Sequence, residues 1–300
     1  MVLVYLNGGI GNLLFKYAAG FGLASKLNVP FKLDKSYYHN KSYAGDKLSD
    51  FYHIPYYTNI LENTFNISAV ESAESELDPF RHSLLKKIIE RLKPYYKRKI
   101  FREQKFGFDP NFFKAPSDVL IKGYWQSEKY FIHVSSMLKK ELTFKKSIQE
   151  KNKPLADQIM KEISVSLHIR RGDYLKQPVS KNILGTLPME YYQESVNYLR
   201  SVINSNIHFY IFSDDIEWAK NNLHISGNIT FIDKSFNLTD VDEMYLMSQC
   251  HHNIIANSSF SWWGAWLNKN DNKIVIAPNK WFNNEPQNTQ DLIPSNWIRV

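Results

Sequence analysis

From residue 163 to residue 277 the chain alternates. Short apolar, β-rich runs stand at 163–169 (ISVSLHI), 208–213 (HFYIFS), 228–232 (NITFI), 253–257 (NIIAN) and 273–277 (KIVIA), and helical patterns separate them. The clearest helix covers 188–204. Pro188 suits a first helical position, and Met189, Tyr192, Val196, Leu199 and Ile203 follow at steps of three and four. Strands that alternate with helices fold as a parallel sheet with crossover helices. The N-terminus begins the same way: a strand VLVYL (2–6), a loop Asn7–Asn12, a helix to Leu27, and a strand VPFKL (29–33) ending at Asp34. A chain of 300 residues is long enough for about two domains. The expected architecture is therefore α/β, with two Rossmann-like domains whose parallel sheets face a cleft. The first would span 1–155, with insertions in 35–120, and the second 156–300. The polar stretch QEKNKPLADQ marks the expected boundary. Ligands in such folds bind at the carboxyl ends of the strands.

The single cysteine, Cys250, excludes an internal disulfide and a Cys-rich zinc site, and fits a reducing compartment. No apolar run is long enough to span a bilayer. The start MVLVYLNGGIGN lacks the basic beginning and cleavage site of a signal peptide. The expectation is a cytoplasmic protein, in which five Asn-x-Ser/Thr sequons carry no glycan. Aromatic residues make up 15% of the chain; aromatic platforms suit sugars and bases, although most such rings belong to cores.

The formal net charge of +7 is local. Residues 81–105 hold ten Lys/Arg against Glu90 and Glu103, a net of +8, so the remaining residues sum to −1. Leu84, Leu85, Ile88, Ile89 and Leu92 recur there at helical spacing, and Pro94 ends the pattern. Such a helix either covers the core with a solvated basic face or lies on an anionic membrane surface. Nucleic acid has little support from one short patch without a recognition motif.

Three segments at strand ends carry chemistry. His168-Ile169-Arg170-Arg171-Gly172-Asp173-Tyr174 follows SVSL. Two adjacent arginines leaving a buried strand need anions, and guanidinium pairs bidentately with phosphate oxygens. The alternative is an ion-pair cluster. Ser213-Asp214-Asp215 follows HFYIF, where the carboxylates can bind a ribose or a guanine edge, hold a metal, or cap the helix beginning at Ile216. Asn257-Ser258-Ser259-Phe260 ends NIIA and opens an apolar helix whose N-terminus suits a phosphate. Arginines, carboxylates and a serine helix start on one sheet edge describe a nucleotide-diphosphate site. Trp262, Trp263 and Trp266 read as packing.

Gly8-Gly9-Ile10-Gly11-Asn12 leaves G-x-G-x-x-G incomplete at Leu14, and there is no Walker A, G-x-S-x-G or H-E-x-x-H motif. Asp240-Val241-Asp242 has metal-like spacing, but Glu243 three residues after Asp240 reads as a capping box. His251 and His252 read as structural.

The chain resembles the bacterial α-1,2-fucosyltransferases of glycosyltransferase family 11. The resemblance rests on NGGIGNLLFKYAAG (7–20), FKLD (31–34), GYWQSEKYF (123–131), VSLHIRRGDY (165–174), FSDDIEW (212–218) and DEMYLMSQCHHNIIANSSFSWWGAWLN (242–268). It implies a GT-B fold and inverting transfer of L-fucose from GDP-fucose to a terminal β-galactoside, without a metal or other cofactor. The setting implied is O-antigen or other surface-glycan synthesis. Likeness to the wider fucosyltransferase superfamily puts His168 and one of Asp214/Asp215 against guanine, and Arg170, Arg171, Ser258 and Ser259 against the diphosphate, with Asn257 and Phe260 beside them. It puts Asn12, Asp34, Trp125 and Gln126 on the acceptor side. Relatives often read G-N-Q-x-F-Q-Y where this chain has Asn12-Leu13-Leu14-Phe15-Lys16-Tyr17, so its acceptor geometry differs.

By position, Asp173 and then Asp34 are candidates for the base that takes the acceptor proton; Asp173 reads equally as a partner that orients an arginine. Two other classes stay open at this point: a transferase for another nucleotide sugar, and a non-catalytic carbohydrate-binding relative.

Overall fold

A computed structural model describes residues 1–39, 54–81, 84–176, 182–283 and 289–300; the side chains of 54–55, 84–87, 173 and 176 lie outside the description. The chain forms two units, Met1–Thr143 with Gln287–Leu292, and Phe144–Pro286 with Ile293–Val300. The expected boundary at 155/156 falls instead inside the helix Lys146–Lys161. That stretch looked like a linker because most of its surface is polar and it holds Pro154. Asn152, Ala156 and Ile159 nevertheless line a buried face.

In the first unit the strands are β1 (Val2–Tyr5), β2 (Phe31–Asp34), β3 (Val70–Glu71), β4 (Ile100–Arg102) and β5 (Val119–Lys122), in spatial order β3-β2-β1-β5-β4 and all parallel. Valine, leucine and isoleucine fill the first three positions of β1 and of β5, and those positions are buried as the inner strands of a parallel sheet require. The helix Ile10–Leu27 runs from Gly9 to an Asn28 cap in the left-handed conformation and is buried along most of its length. The order reverses between β1 and β5. The switch point of this sheet therefore lies between the loop after Tyr5 and the turn after Lys122.

In the second unit the strands are β6 (Ile163–Ile169), β7 (Ile207–Ser213), β8 (Asn228–Phe231), β9 (His252–Ile254), β10 (Val275–Ala277) and β11 (Ile298–Arg299), in order β11-β10-β9-β6-β7-β8 and all parallel. All five expected runs are strands. The helix Met189–Val202 follows the anticipated spacing, with Pro188 as its cap rather than its first residue. Its Tyr191, Tyr192, Val196 and Leu199 pack on Val165, Leu167, Phe209 and Ile211. The switch point lies between β6 and β9, with β7 on the far side of β6.

The basic segment is not one element. It contains the helix Leu84–Leu92, a turn at Tyr95–Lys97 and β4. Arg98 donates to the Arg91 and Lys93 carbonyls and so closes the helix end. Ile88, Ile89 and Leu92 are exposed, Leu92 at 83%. The expectation that this apolar face covers a core does not hold for these three residues. No helix among the described residues is long and apolar enough to cross a membrane.

Candidate active site

The ends of β6, β7 and β9 bring the sequence-selected residues of the second unit together. Asp214 is the hub. Its carboxylate accepts the Arg171 backbone N–H at 2.8 Å and lies 3.3 Å from Arg170 Nε. Burial pushes this carboxyl up, but Arg170 and the N–H groups of Gly172 and Arg171 outweigh burial and hold it below the usual range. Gly172 is where the turn passes closest to Asp214: a Cβ there would sit 3.2 Å from two of its oxygens. Asp215 Oδ2 lies 3.4 Å from Arg171 Nε, without hydrogen-bond alignment. Each arginine of the pair thus meets one carboxylate of the next strand, and only through its Nε edge in these contacts. The Arg171 guanidinium carbon also rests 4.1 Å from the Trp218 ring centre, and that of Arg170 5.7 Å from the Tyr174 ring centre.

Two contacts tie the end of β6 and the turn after it to the segment after β9. Tyr174 Oη donates to the Asn257 carbonyl at 3.0 Å, and the rings of His168 and Phe260 stand 5.6 Å apart. His168 is 3% exposed; burial first, and the Arg170 charge second, push its imidazole down to about 3. The ring is therefore neutral at physiological pH. Its buried Nδ1 has no hydrogen-bond partner. Asn257 is turned into the fold, where its amide nitrogen meets the carbonyls of Leu184, Gly185 and Trp281 at 3.0–3.1 Å. Ser258 caps the helix Ser259–Leu267, its hydroxyl accepting from Phe260 N at 3.3 Å. Ser259 opens that helix, whose N-terminus carries the positive end of the helix dipole. Trp262, Trp263 and Trp266 are packed against one another in the interior, as read from the sequence. The Asp173 side chain lies outside the described residues.

The residues expected on the acceptor side belong to the first unit. Gln126 Nε2 donates to Asn12 Oδ1 at 2.8 Å, joining the turn after β5 to the start of the helix Ile10–Leu27. Asp34 is 2% exposed at the end of β2 and accepts from Ser36 N. Trp125 is wholly buried, packed against Phe101, Phe112 and Tyr130. It holds a core together and cannot present its ring to a sugar.

The reading of Asp240–Glu243 also changes. Thr239 is the cap, and its reciprocal partner is Asp242. Asp242 further accepts from Asn152 at 2.6 Å and Lys151 at 2.5 Å, which ties the helix Asp240–Gln249 to Lys146–Lys161. Among the described residues no group of three His, Cys, Asp or Glu is placed to hold a metal ion. Glu243 is released from capping. Burial first, then the charges of Asp240 and Asp214, push its carboxyl up to about 8. Sequence reasoning missed it because the i, i+3 spacing of Asp240 and Glu243 imitates a capping box. His251 and His252 serve the sheet: one meets Ser164 Oγ at 3.1 Å and the other accepts from Ile274 N at 3.0 Å.

Comparison with known proteins agrees with this geometry. Residues 71–300 match the family described as glycosyl transferase family 11. An Escherichia coli α-1,2-colitosyltransferase is 36% identical over 308 aligned residues, covering all of this chain and 99% of that protein. The E. coli O-antigen biosynthesis glycosyltransferase WbnK is 42% identical over 139 residues, 46% of this chain and 44% of that one. Human galactoside α-(1,2)-fucosyltransferase 1 is 26% identical over 157 residues, 49% and 42% of the two chains. Among solved structures, NodZ α-1,6-fucosyltransferase soaked with GDP-fucose superposes with a TM-score of 0.52 at 10% identity, covering 89% of this chain and 92% of that one. A mutant of Arabidopsis thaliana FUT1 in complex with GDP gives 0.53 at 12% identity, covering 95% and 72%. The fold shared with these structures is GT-B. With its full length matched and two parallel α/β units in that fold, the chain belongs to glycosyltransferase family 11.

Proposed function

We propose that this glycosyltransferase inverts configuration as it moves L-fucose from GDP-fucose to the 2-hydroxyl of a terminal β-galactoside, in the synthesis of O-antigen or another surface glycan. The observation that carries the reading is the arginine pair at the end of β6, steadied by Asp214 and Asp215 at the end of β7. The acceptor oxygen attacks the anomeric carbon while the bond from that carbon to the β-phosphate oxygen breaks. Negative charge grows on the leaving diphosphate. Arginines already oriented by carboxylates stabilise that charge without reorganising, and the first turn of the helix Ser259–Leu267 adds its dipole. A carboxylate that accepts the hydroxyl proton contributes about 10²–10⁴-fold; Asp173 is the candidate by its place after the arginines. No metal is needed where two guanidinium groups meet the diphosphate. Transfer from GDP-fucose to a panel of β1,3- and β1,4-galactosides is expected to run at full rate in excess EDTA. A rate abolished by EDTA and restored by Mn²⁺ or Mg²⁺ would overturn the metal-free mechanism, and failure to turn over GDP-fucose would overturn the donor.

A second donor is favoured by one finding, the 36% identity over the whole chain to an α-1,2-colitosyltransferase. Colitose lacks the 3-hydroxyl of fucose, so competition between GDP-fucose and GDP-colitose separates the two readings. A hydroxyl that meets a hydrogen-bonding site favours fucose strongly, because the analogue leaves buried groups unpaired.

We propose further that the acceptor is lipid-linked, a setting that suits the basic segment. Ile88, Ile89 and Leu92 are exposed beside Arg91, Lys93, Lys97 and Arg98. Apolar side chains enter the headgroup boundary, and each nearby Lys or Arg adds about 1 kcal/mol on an anionic surface. We propose that it works as a peripheral enzyme on the cytoplasmic face of the inner membrane. It is expected to sediment with anionic vesicles at low salt and only weakly with neutral ones. The triple variant Ile88→Ser, Ile89→Ser, Leu92→Ser should lose that binding while still transferring to a soluble galactoside, since the donor-site residues belong to the second unit. Equal sedimentation of variant and wild type would remove the membrane role.

A further inference from the structure

At the switch point of the first sheet the chain builds a strained and heavily braced turn. After β5 come Gly123, Tyr124, Trp125 and Gln126. Trp125 has φ +54°, in the left-handed region that a bulky residue rarely enters. Strain of this kind persists only where surrounding contacts over-determine it, and it gathers at ligand sites. Here the braces are visible. Glu103, just past β4, accepts the backbone N–H groups of Tyr124 at 2.7 Å and Trp125 at 3.1 Å. Gly123 passes so close to Glu103 that a Cβ would lie 2.5 Å from the Glu103 Cβ, so no side chain fits. Gln126 is bonded to Asn12, and Ser127 N donates to the Trp125 carbonyl at 2.8 Å.

The consequence falls on Tyr124. With the Trp125 ring pulled into the core, the Tyr124 ring is turned outward and the residue is 48% exposed. One face lies over Lys16, whose Nζ is 4.8 Å from the ring centre. Lys16 is itself 2% exposed and bonded to the Asn7 carbonyl at 2.9 Å, at the end of β1. A buried lysine is costly, and burial pushes its ammonium down to about 7 against the opposing pull of Glu103. A half-exposed aromatic ring is thus fixed from beneath at the carboxyl ends of the two central strands. An exposed aromatic ring with polar groups near it is the surface that a pyranose recognises, its C–H face on the ring and its hydroxyls on the neighbours.

We propose that the turn Gly123–Gln126 is the acceptor platform, with the terminal sugar of the acceptor stacked on the Tyr124 ring. The identity of that sugar as a galactoside rests on the function proposed above; the platform itself does not. Asn12 and Gln126, bonded to each other at the same turn, are then the candidate hydroxyl partners, while Trp125 and Glu103 act only by holding the turn.

The test measures sugar binding to the full chain without donor. Saturation-transfer NMR and titration with the methyl glycosides of galactose, glucose, N-acetylglucosamine and fucose give the affinities. Tyr124→Phe keeps the ring and should bind as wild type does. Tyr124→Ala removes the apolar face and should weaken binding about tenfold, with acceptor KM raised equally and donor KM unchanged. Binding of a glycoside other than galactoside, lost in Tyr124→Ala, would sustain the platform and overturn the galactoside reading. Unchanged affinity in a folded Tyr124→Ala, or no binding of any of the four sugars to wild type, would overturn the platform.

Discussion

Arg170→Ala and Arg171→Ala should each slow transfer about 10–150-fold at saturating donor, the loss of one charge-assisted hydrogen bond worth about 1.5–3 kcal/mol. The local structure makes the experiment readable. Without Arg170, Asp214 still accepts the N–H groups of Arg171 and Gly172, so the turn after β6 keeps its shape. Without Arg171, Asp215 is left with a side chain 37% exposed, which water can solvate. Neither deletion strands a fully buried charge, the situation that unfolds proteins. The loss should therefore appear in the rate and not in the thermal midpoint. Arg→Lys at either position should recover only part of the activity, because an ammonium cannot offer two parallel donors to a phosphate. Folded variants with near-normal rates would mean that the arginines serve the Asp214–Asp215 cluster and do not touch the diphosphate.

The second sheet could be read from the sequence because its strands are long or bounded by clear helical patterns. β6 and β7 each span seven residues, and the residues after them are charged where a parallel sheet exposes its strand ends. The first sheet was hidden beyond β2. β3 and β4 have two and three residues, too short for periodicity to show, and β4 lies inside a segment whose charge pattern suggests only a surface; β5 follows with only the 3₁₀ turn Pro110–Lys114 before it, so no helical pattern marks it. The domain boundary failed for a related reason. A helix with one buried face and Pro154 in its middle has the composition of a linker. Nor does composition tell which ring of Tyr124-Trp125 faces inward. That is decided by the sign of one φ angle and by the Glu103 carboxylate across the sheet. The pairing of each arginine with an aspartate depended on the register of β6 against β7, where Ile169 stands opposite Ser213 and the two charged pairs leave together.

Replacing Glu243 by glutamine should make the protein more stable at neutral and alkaline pH and leave it nearly unchanged at pH 4. The sign follows from where the proton sits. Glu243 titrates at about 8 in the folded chain, against 4.5 for an ordinary glutamate. Below 4.5 both folded and unfolded chains carry the proton, and the wild type has no disadvantage. Between 4.5 and 8 the unfolded chain releases it and the folded chain keeps it, so unfolding is favoured by about 1.4 kcal/mol for each pH unit. Above 8 both are ionised and the difference is constant. A glutamine of the same shape carries no such penalty, so the two stability curves should meet in acid and diverge steadily up to pH 8. The same proton bears on catalysis, because Glu243 lies within the electrostatic reach of both Arg170 and Asp214. Its ionisation adds a third carboxylate to a site where two arginines already face two, and so weakens the hold on a diphosphate. Transfer by the wild type should decline as pH rises through 8, while Glu243→Gln holds its rate there. Denaturant midpoints measured from pH 4 to 9, with the rate profile over the same range, decide it. Parallel stability curves would show that the carboxyl titrates alike in the folded and unfolded chains, and an alkaline decline shared by both proteins would assign that limb to another group.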